Sequence, residues 1–210
     1  KAILRATGLG VRVAVAESLT GGLLAATLIE VPGASLVVSG GVVAYDSALK
    51  STLLGVNAEL LARTGPVDAE VARQMAAGVR RACAVPGTGE DAVPADIGLS
   101  TTGVAGPDPD PQTGAPVGTV WIGVSSALGE RAVALRLTGS RADIRAATVV
   151  AAVELLDGGD DPLPEGDATP VADELVAIPP AAARDFHMGV TCAGALDGGA
   201  CVEDHAAAIR

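Results

Sequence analysis

The chain has 210 residues, 49% of them hydrophobic, which is enough for one α/β domain with its own core. A net charge of −11 and only three aromatic residues argue against nucleic-acid binding, which needs a basic surface and stacking rings. No apolar run approaches the roughly 18 to 20 residues of a membrane helix, so no membrane partner is expected. Three cysteines form no dense disulfide framework, which favours a reducing, cytoplasmic compartment.

Negative charge is concentrated at the end of the sequence. Residues 1–156 carry 14 acidic and 12 basic residues, a net charge of −2, whereas residues 157–210 carry 11 acidic and 2 basic residues, a net charge of −9. The second region is rich in Gly, Pro, Asp and Ala and has no sustained periodicity. Because it buries too little to offset the entropy of ordering, we expect mostly loop or disorder there. We therefore predict one domain over residues 1–156 and an irregular acidic tail over residues 157–210. The sequence begins at Lys1 and not at Met, which leaves an upstream domain open.

Within the first region, apolar strand-like runs alternate with segments of helical periodicity. The first half is predicted to contain strands at 11–16 and 35–45, the second kinked at its paired glycines, and helices at 20–30, 47–54, 57–63 and 68–83. The second half is predicted to contain a loop at 86–94, strands at 96–102, 118–125 and 131–138, and a final helix at 140–156. Interleaved helices and a late hairpin predict an α/β fold, a three-layer α/β/α sandwich with a mixed sheet.

The segment VAVAESLTGG, residues 13–22, is the strongest local motif. A buried strand ends next to Ser18, and Thr20, Gly21 and Gly22 open a helix. Backbone N–H groups at such a helix start suit a phosphate or a developing oxyanion, and a serine placed there is a candidate nucleophile. In the alternative interpretation, Ser18 or Thr20 simply caps the helix and the glycines allow close packing.

Lysine is rare in this chain. Lys1 and Lys50 are the only lysines among 14 basic residues, so Lys50 is the one internal amine that could lose a proton. A neutral lysine can act as the general base for a serine when burial lowers its pKa. The only tyrosine, Tyr45, precedes it by five positions and could relay the proton or hold the amine. The alternative is a surface lysine and a half-buried strand tyrosine.

Two further motifs could complete a site. In TTGVAGPDPD, residues 101–110, Gly103 and Gly106 would let the backbone approach a ligand closely, although an ordinary strand-to-strand loop explains them as well. Arg141 and Arg145 lie four residues apart on one helix face and could bind a phosphate or a carboxylate. Solvated ion pairs are the alternative for these two arginines.

Both histidines and two of the cysteines lie in the tail, at His187, Cys192, Cys201 and His205. This set is compatible with zinc, but it lacks a C-x₂-C pair and matches no usual zinc finger. A chance concentration, or a Cys192–Cys201 disulfide formed in air, explains it more simply. We therefore predict no metal site.

Taken together and in this order, AESLTGG at 16–22, the Tyr45/Lys50 pair, TGVAGP at 102–107 and PVGTVW at 116–121 resemble a known family. It is the C-terminal domain of the competence/damage-inducible protein CinA, the nicotinamide-nucleotide amidohydrolase family, and the resemblance covers about residues 4–156. Members hydrolyse the carboxamide of nicotinamide mononucleotide to nicotinic acid mononucleotide and ammonia without a metal or an organic cofactor.

The resemblance implies that Ser18 is the nucleophile, with Lys50 as its base and Tyr45 assisting. It also implies a substrate-binding set formed by the two glycine loops and the arginines of the last helix: Thr20, Gly21, Gly22, Gly103, Ala105, Gly106, Arg141 and Arg145. For the oxyanion we expect backbone N–H groups near Gly21 and Gly22. We expect a homo-oligomer, a dimer or a higher assembly, that binds a small nucleotide and no nucleic acid.

The chain departs from the family pattern at three positions. Leu19 stands where the family usually has Cys, Asp68 where it often has Ser, and Ala115 where a basic residue is common. We expect Leu19 only to repack, whereas Ala115 removes a cation that could meet the substrate phosphate. The rival hypothesis is a non-catalytic nucleotide-binding or regulatory module, which keeps the glycine loops but gives Lys50 no role. A long distance from Lys50 Nζ to Ser18 Oγ, with no water or tyrosine between them, would count against the enzyme.

Overall fold

The structure is a computed structural model that describes residues 1–87 and 91–157. The helices are α1 (Ala2–Leu9), α2 (Leu23–Ile29), α3 (Ser47–Thr52), α4 (Ala58–Thr64), α5 (Ala69–Ala82) and α6 (Arg141–Asp157), with one 3₁₀ turn at Ala34–Leu36. The strands are β1 (Val13–Glu17), β2 (Val38–Val43), β3 (Val85–Pro86), β4 (Ala92–Val93), β5 (Ile97–Gly103), β6 (Thr119–Ser126) and β7 (Gly129–Arg136). The expected tail lies outside the described residues except for Asp157, which ends α6.

Five strands form one mixed sheet in the order β2-β1-β5-β6-β7. The strands β2, β1 and β5 are parallel to one another, whereas β6 and β7 each run antiparallel to their neighbour. All five residues of β1 are buried, as expected for a parallel strand covered on both faces. The mixed sheet predicted from the sequence is therefore confirmed.

Side chains of β1 alternate between two hydrophobic clusters. Val13 and Val15 pack in one cluster with residues of α1, α2 and α6. Ala14 and Ala16 pack in the other, with residues of α3, α4 and α5. Helices therefore cover both faces of the sheet, which confirms the three-layer sandwich. We call the two sides the α6 face and the α5 face.

Glycine allows α5 to lie very close to its neighbours. A Cβ atom on Gly78, in the middle of α5, would lie 1.9 Å from the carbonyl oxygen of Leu54. A Cβ atom on Gly98, in β5, would lie 1.9 Å from the carbonyl oxygen of Ala76. A larger residue at Gly98 would push α5 off the sheet, and one at Gly78 would push it away from the segment after α3, so the helix position depends on both glycines.

The two helix caps predicted from the sequence, Asp68 and Ser140, both form in the structure. The Asp68 carboxylate accepts hydrogen bonds from the N–H groups of Glu70 and Val71 and so caps α5, as predicted. Ser140, the predicted cap of the last helix, accepts from the N–H of Asp143 through its Oγ, and Asp143 accepts in return from the N–H of Ser140.

The structure differs from the predicted elements in four places. The helix α1 was not predicted, although it buries Ala2, Ile3 and Ala6 and ends at Gly10, a left-handed residue with φ 66°. The expected loop at 86–94 includes Pro86 of β3 and all of β4, and these two short strands pair. The strand expected from residue 35 starts at 38, after the 3₁₀ turn, and α2 starts at 23 instead of 20.

None of the described helices is long and apolar enough to cross a lipid bilayer.

Candidate active site

The candidate site lies at the carboxyl ends of the three parallel strands. Ser18 directly follows β1, Ala44 directly follows β2, and Thr101 lies near the end of β5. Ser18 is tied to the neighbouring strand because its N–H donates to the carbonyl of Thr101 at 3.0 Å. Open α/β sheets bind ligands at this edge, at the point where the strand order reverses, which here is the β1–β5 boundary.

Ser18 and Lys50 meet at this edge. Lys50 belongs to α3, is 1% exposed, and donates from Nζ to Ser18 Oγ at 3.0 Å and to the carbonyl of Ala44 at 3.0 Å. The surface-lysine alternative is therefore wrong. The long distance between Nζ and Oγ that would count against an enzyme is also absent.

The environment of Lys50 favours its neutral form. Burial lowers the pKa of its ammonium group from 10.5 to about 8, because the charged form loses its hydration. The carboxylate of Asp46 acts in the opposite direction and raises this pKa. Asp46 also caps α3 by accepting from the N–H of Ala48, so it is fixed one helical turn before Lys50.

The side chain of Glu17, the last residue of β1, caps the start of α2. Its carboxylate is 1% exposed and accepts from the N–H groups of Gly22 at 3.0 Å, Leu24 at 3.0 Å and Ala25 at 2.8 Å. The N-cap residue of α2 is Gly22, which has no side chain that could accept these hydrogen bonds. The interpretation that Ser18 or Thr20 caps the helix is therefore wrong. Glu17 is the site residue that the sequence analysis missed.

This capping also corrects the expected position of the oxyanion donors. The N–H of Gly22 donates to Glu17, and the N–H of Gly21 donates to the carbonyl of Ser18 at 3.1 Å. Both groups already have acceptors within the protein. The expectation that N–H groups near Gly21 and Gly22 hold the oxyanion is therefore wrong for this arrangement of the turn.

Thr20 is fully buried in the turn that follows Ser18. Its Oγ1 lies 2.7 Å from Oγ1 of Thr101 in β5, and both residues are 0% exposed. This contact holds the turn after β1 against the neighbouring strand. Thr20 is therefore an anchor for the turn, and contact of this residue with substrate remains a prediction.

Tyr45 contacts an arginine and not the lysine. Its hydroxyl accepts from Nη2 of Arg141 at 2.9 Å, and Nη1 of the same arginine donates to the carbonyl of Gly106 at 2.6 Å. The amine of Lys50 is held by the carbonyl of Ala44, so the idea that Tyr45 holds it is wrong. Arg141 instead joins the loop after β2 to the loop after β5 at the edge that carries Ser18.

Arg145 binds the turn that follows Ser18. Its Nε donates to the carbonyl of Leu19 at 2.9 Å, and its Nη2 donates to the carbonyl of Thr20 at 2.8 Å. Neither Arg145 nor Arg141 forms an ion pair with a described residue. The structure therefore brings both predicted arginines to the site, where each has backbone carbonyls as partners.

The second glycine loop is shaped by packing within the protein. A Cβ atom on Gly103 would lie 2.6 Å from the carbonyl oxygen of Thr119, and Gly106 adopts φ 90° beside Val117. Ala105 is buried. Close packing of β5 on β6 thus explains Gly103, and a role of this loop in binding substrate stays a prediction.

Leu19, one of the departures from the family pattern, is 4% exposed and belongs to the α6-face cluster, in line with the expected repacking. Within residues 1–87 and 91–157, no group of three or more His, Cys, Asp or Glu side chains is placed to hold a metal ion. The histidines and cysteines of the tail lie outside this part of the chain.

Comparison with known proteins shows the family of this chain. The family model described as the CinA C-terminal domain matches residues 2–158. A CinA-like protein of Frankia casuarinae is 44% identical over 160 residues, which is 76% of this chain and 34% of that protein. The chain thus spans about a third of the length of such relatives.

Solved structures show the same fold. A competence/damage inducible protein of Agrobacterium tumefaciens is 36% identical with a TM-score of 0.65, covering 73% of this chain and 88% of the other. A CinA superfamily protein of Klebsiella pneumoniae is 30% identical with a TM-score of 0.66, covering 74% of this chain and 91% of the other. The family match extends over most of the chain and includes every residue of the candidate site. The chain therefore belongs to the CinA C-terminal domain family.

Proposed function

We propose that this domain hydrolyses the carboxamide of nicotinamide mononucleotide to nicotinic acid mononucleotide and ammonia. The observation that supports the proposal is the buried Lys50, whose Nζ lies 3.0 Å from Ser18 Oγ. A lysine whose pKa is lowered to about 8 is partly neutral near neutral pH and can accept a proton from a serine hydroxyl. Ser18 and Lys50 are therefore proposed as nucleophile and general base.

In the first half-reaction, Ser18 Oγ attacks the carboxamide carbon, and its proton moves to Lys50 Nζ. The carbonyl electron pair moves to oxygen, which becomes an oxyanion. When this intermediate collapses, the C–N bond breaks, and the leaving amine takes the proton from Lys50 and departs as ammonia. The product of this half-reaction is a nicotinoyl ester of Ser18.

In the second half-reaction, a water molecule enters the position that ammonia has left and hydrolyses the ester. Lys50 Nζ, neutral again, accepts a proton from water as its oxygen attacks the ester carbon, and the collapsing intermediate returns Oγ to Ser18 with that proton. Nicotinic acid mononucleotide is released. Tyr45 and Arg141, which are joined at 2.9 Å at the same edge, are proposed to contact the nucleotide part of the substrate.

The test is an ammonia assay on nicotinamide mononucleotide, nicotinamide riboside and free nicotinamide. We expect release from the mononucleotide and at least 10³-fold lower kcat in Ser18→Ala and in Lys50→Ala, because removing either partner of a nucleophile–base pair disables the same step. Ser47→Ala, at an exposed serine that begins α3, is the matched control and should leave kcat unchanged.

Two outcomes would count against the proposal. Ammonia release that survives Ser18→Ala in a folded variant contradicts the nucleophile assignment. Tight binding of nicotinamide mononucleotide by the unmodified protein without any ammonia release favours the non-catalytic nucleotide-binding module instead. Circular dichroism of each variant shows that a lost activity does not reflect a lost fold.

A further inference from the structure

The oxyanion formed by attack of Ser18 needs hydrogen-bond donors, and the start of α2 does not offer them. The N–H groups of Gly22, Leu24 and Ala25 donate to Glu17, and that of Gly21 donates to the carbonyl of Ser18. Within the part of the chain that the structure describes, the N–H groups of Leu19 and Thr20 have no acceptor. These two groups directly follow the nucleophile.

The direction of the Thr20 N–H follows from the contacts of Arg145. This arginine belongs to α6 and reaches the turn from the α6 face, where it binds the carbonyl of Leu19 at 2.9 Å. The Leu19–Thr20 peptide is trans, so its N–H points opposite to its carbonyl. The Thr20 N–H is therefore turned away from α6 and towards the α5 face.

The nucleophile lies on that same face. Ser18 continues the alternation of Ala14 and Ala16, which pack on the α5 face, and its Oγ contacts Lys50 of α3, a helix of that layer. Arg145 thus holds the turn from one side while Ser18 Oγ and the Thr20 N–H are presented on the other. In the nucleophile turn of α/β-hydrolases, the N–H of the residue directly after the serine, a position that Leu19 holds here, serves as an oxyanion donor.

We propose that Arg145 is a positioning residue that fixes the Leu19–Thr20 peptide so that the N–H group of Thr20 joins that of Leu19 in stabilising the oxyanion formed at Ser18. This inference rests on the proposed amidohydrolase function, which it deepens by naming the donors and the residue that orients them. Glu17 and Thr101 support the same arrangement, because they hold the two sides of the turn. Oxyanion stabilisation is realised in the transition state, so its loss lowers kcat more than it raises KM.

Binding of the substrate phosphate by Arg145, which the family resemblance implies, makes a different prediction. A phosphate contact would be lost equally in the ground state and the transition state, so KM would rise while kcat stayed constant. It would also matter for nicotinamide mononucleotide and not for nicotinamide riboside, which has no phosphate. The two roles are therefore separable by measurement.

The experiment uses two reactions of the full chain. The first is ammonia release from both nicotinamide substrates, with kcat and KM determined separately. The second is modification of Ser18 by diisopropyl fluorophosphate: the Oγ–P bond forms, the P–F bond breaks, fluoride leaves, and the serine proton passes to Lys50. Charge develops on the phosphoryl oxygen during this attack, so the reaction reports oxyanion donors without any nicotinamide substrate.

Arg145→Gln should lower kcat on both substrates, and the rate of Ser18 modification, by a similar factor of about 10- to 100-fold, with KM changed by less than about 3-fold. Arg145→Lys should retain a charge at the site but lose the forked pair of contacts, and should fall between Gln and Arg. Arg81→Gln is the matched control, because Arg81 is exposed in the last turn of α5, away from the site edge, and should change none of the rates.

The proposal is overturned if Arg145→Gln leaves the rate of Ser18 modification unchanged, or raises KM for the mononucleotide alone. If Arg145→Gln does not fold, Arg145→Lys decides, and a folded lysine variant with unchanged rates of modification contradicts the proposal. Failure of the proposed function looks different: the unmodified protein would react at Ser18 in an Arg145-dependent way but release no ammonia. An unmodified protein whose Ser18 does not react at all counts against the oxyanion site itself.

Discussion

Burial of Lys50 lowers the stability of the folded protein and at the same time increases the fraction of its amine that is neutral near neutral pH. Its pKa is about 8 in the folded protein and about 10.5 in the unfolded chain. Between these two values the unfolded chain binds more protons, so the free energy of unfolding rises with pH across that window and is lowest, as far as this group is concerned, below pH 8. The hydrogen bonds to Ser18 and Ala44 partly offset this penalty.

The pH dependence of the reaction should report this group. Only neutral Lys50 can accept the serine proton, so kcat/KM for ammonia release should rise about tenfold per pH unit below the pKa of about 8 and level off above it. The measurement is a pH–rate profile between pH 6 and pH 10. A profile that is flat across pH 8, in a protein that stays folded, contradicts the role of Lys50 as the base.

Asp46 should set the position of that profile. In Asp46→Asn the amide oxygen still caps α3, because asparagine is as good an N-cap as aspartate, but the charge that raises the Lys50 pKa is gone. The midpoint of the rise in kcat/KM should therefore move to lower pH. Asp68→Asn makes the same exchange at the cap of α5 and should not move the midpoint. Equal shifts in both variants would show a general charge effect.

At the residue scale, composition pointed to the candidate catalytic residues, whereas the residues packed around them had no signal in the sequence. Lys50 and Tyr45 stand out in the sequence because each is almost the sole member of its type, and Ser18 stands out because it ends a buried strand next to two glycines. The capping role of Glu17 has no such signal, because a glutamate five to eight residues before its partners matches no usual cap. The carbonyl partners of Arg145 lie more than 100 residues away in sequence, so only the fold brings them together.

Among the elements, those with strong local signals were predicted well. Asp68 and Ser140 mark helix starts by short-range side-chain chemistry, and the strands of the sheet carry apolar runs. The helix α1 has only eight residues, one of them glycine, so its period is too short to recognise although it buries three side chains. The pair β3 and β4 has two residues per strand, and pairing on that scale is decided by tertiary contacts.

Glycine substitutions in two helices should have opposite effects. Alanine is intrinsically about 1 kcal/mol better than glycine inside a helix. Gly8 of α1 has no atom within 4 Å of its Cβ position, so Gly8→Ala should stabilise the protein by about 0.5 to 1 kcal/mol. At Gly78 the new methyl group would meet the Leu54 carbonyl at 1.9 Å, so Gly78→Ala should destabilise by about 2 kcal/mol or more despite its better propensity.

Denaturant unfolding of the two variants beside the unmodified protein measures these effects. The two variants control for helix propensity, because each replaces a helical glycine by alanine and so adds one methyl group. Stabilisation by Gly78→Ala would show that α5 can shift away from Leu54 without cost. The position of α5 would then not depend on the close approach of its backbone to the segment after α3.

On the scale of the whole molecule, the site exists only where three chain segments converge. The turn after β1 supplies Ser18, the segment after β2 supplies Lys50, and the start of α6 supplies Arg141 and Arg145. The parallel arrangement of β2, β1 and β5 brings the first two segments and the loop after β5 to one edge, and β6 and β7 return the chain so that α6 begins there. The sequence shows these motifs and their order, but the edge of the sheet at which they come together depends on the strand order, which the sequence alone does not specify.

The charge of the molecule is divided unevenly between this domain and the rest of the chain. Residues 1–157 carry a net charge of −3 and residues 158–210 a net charge of −8.

A chain that ends at Asp157 should keep its thermal midpoint and kcat, because the two hydrophobic clusters and all candidate site residues lie within it. At low ionic strength its KM for nicotinamide mononucleotide should be lower than that of the full chain, because removing negative charge reduces long-range repulsion of the phosphate. Near 0.15 M salt, where the screening length is about 8 Å, the two KM values should converge, and KM for nicotinamide riboside should not differ at either salt concentration. A shortened chain that unfolds or loses kcat would show that residues beyond 157 belong to the domain, whereas an unchanged KM at low salt would show that their charge does not reach the site.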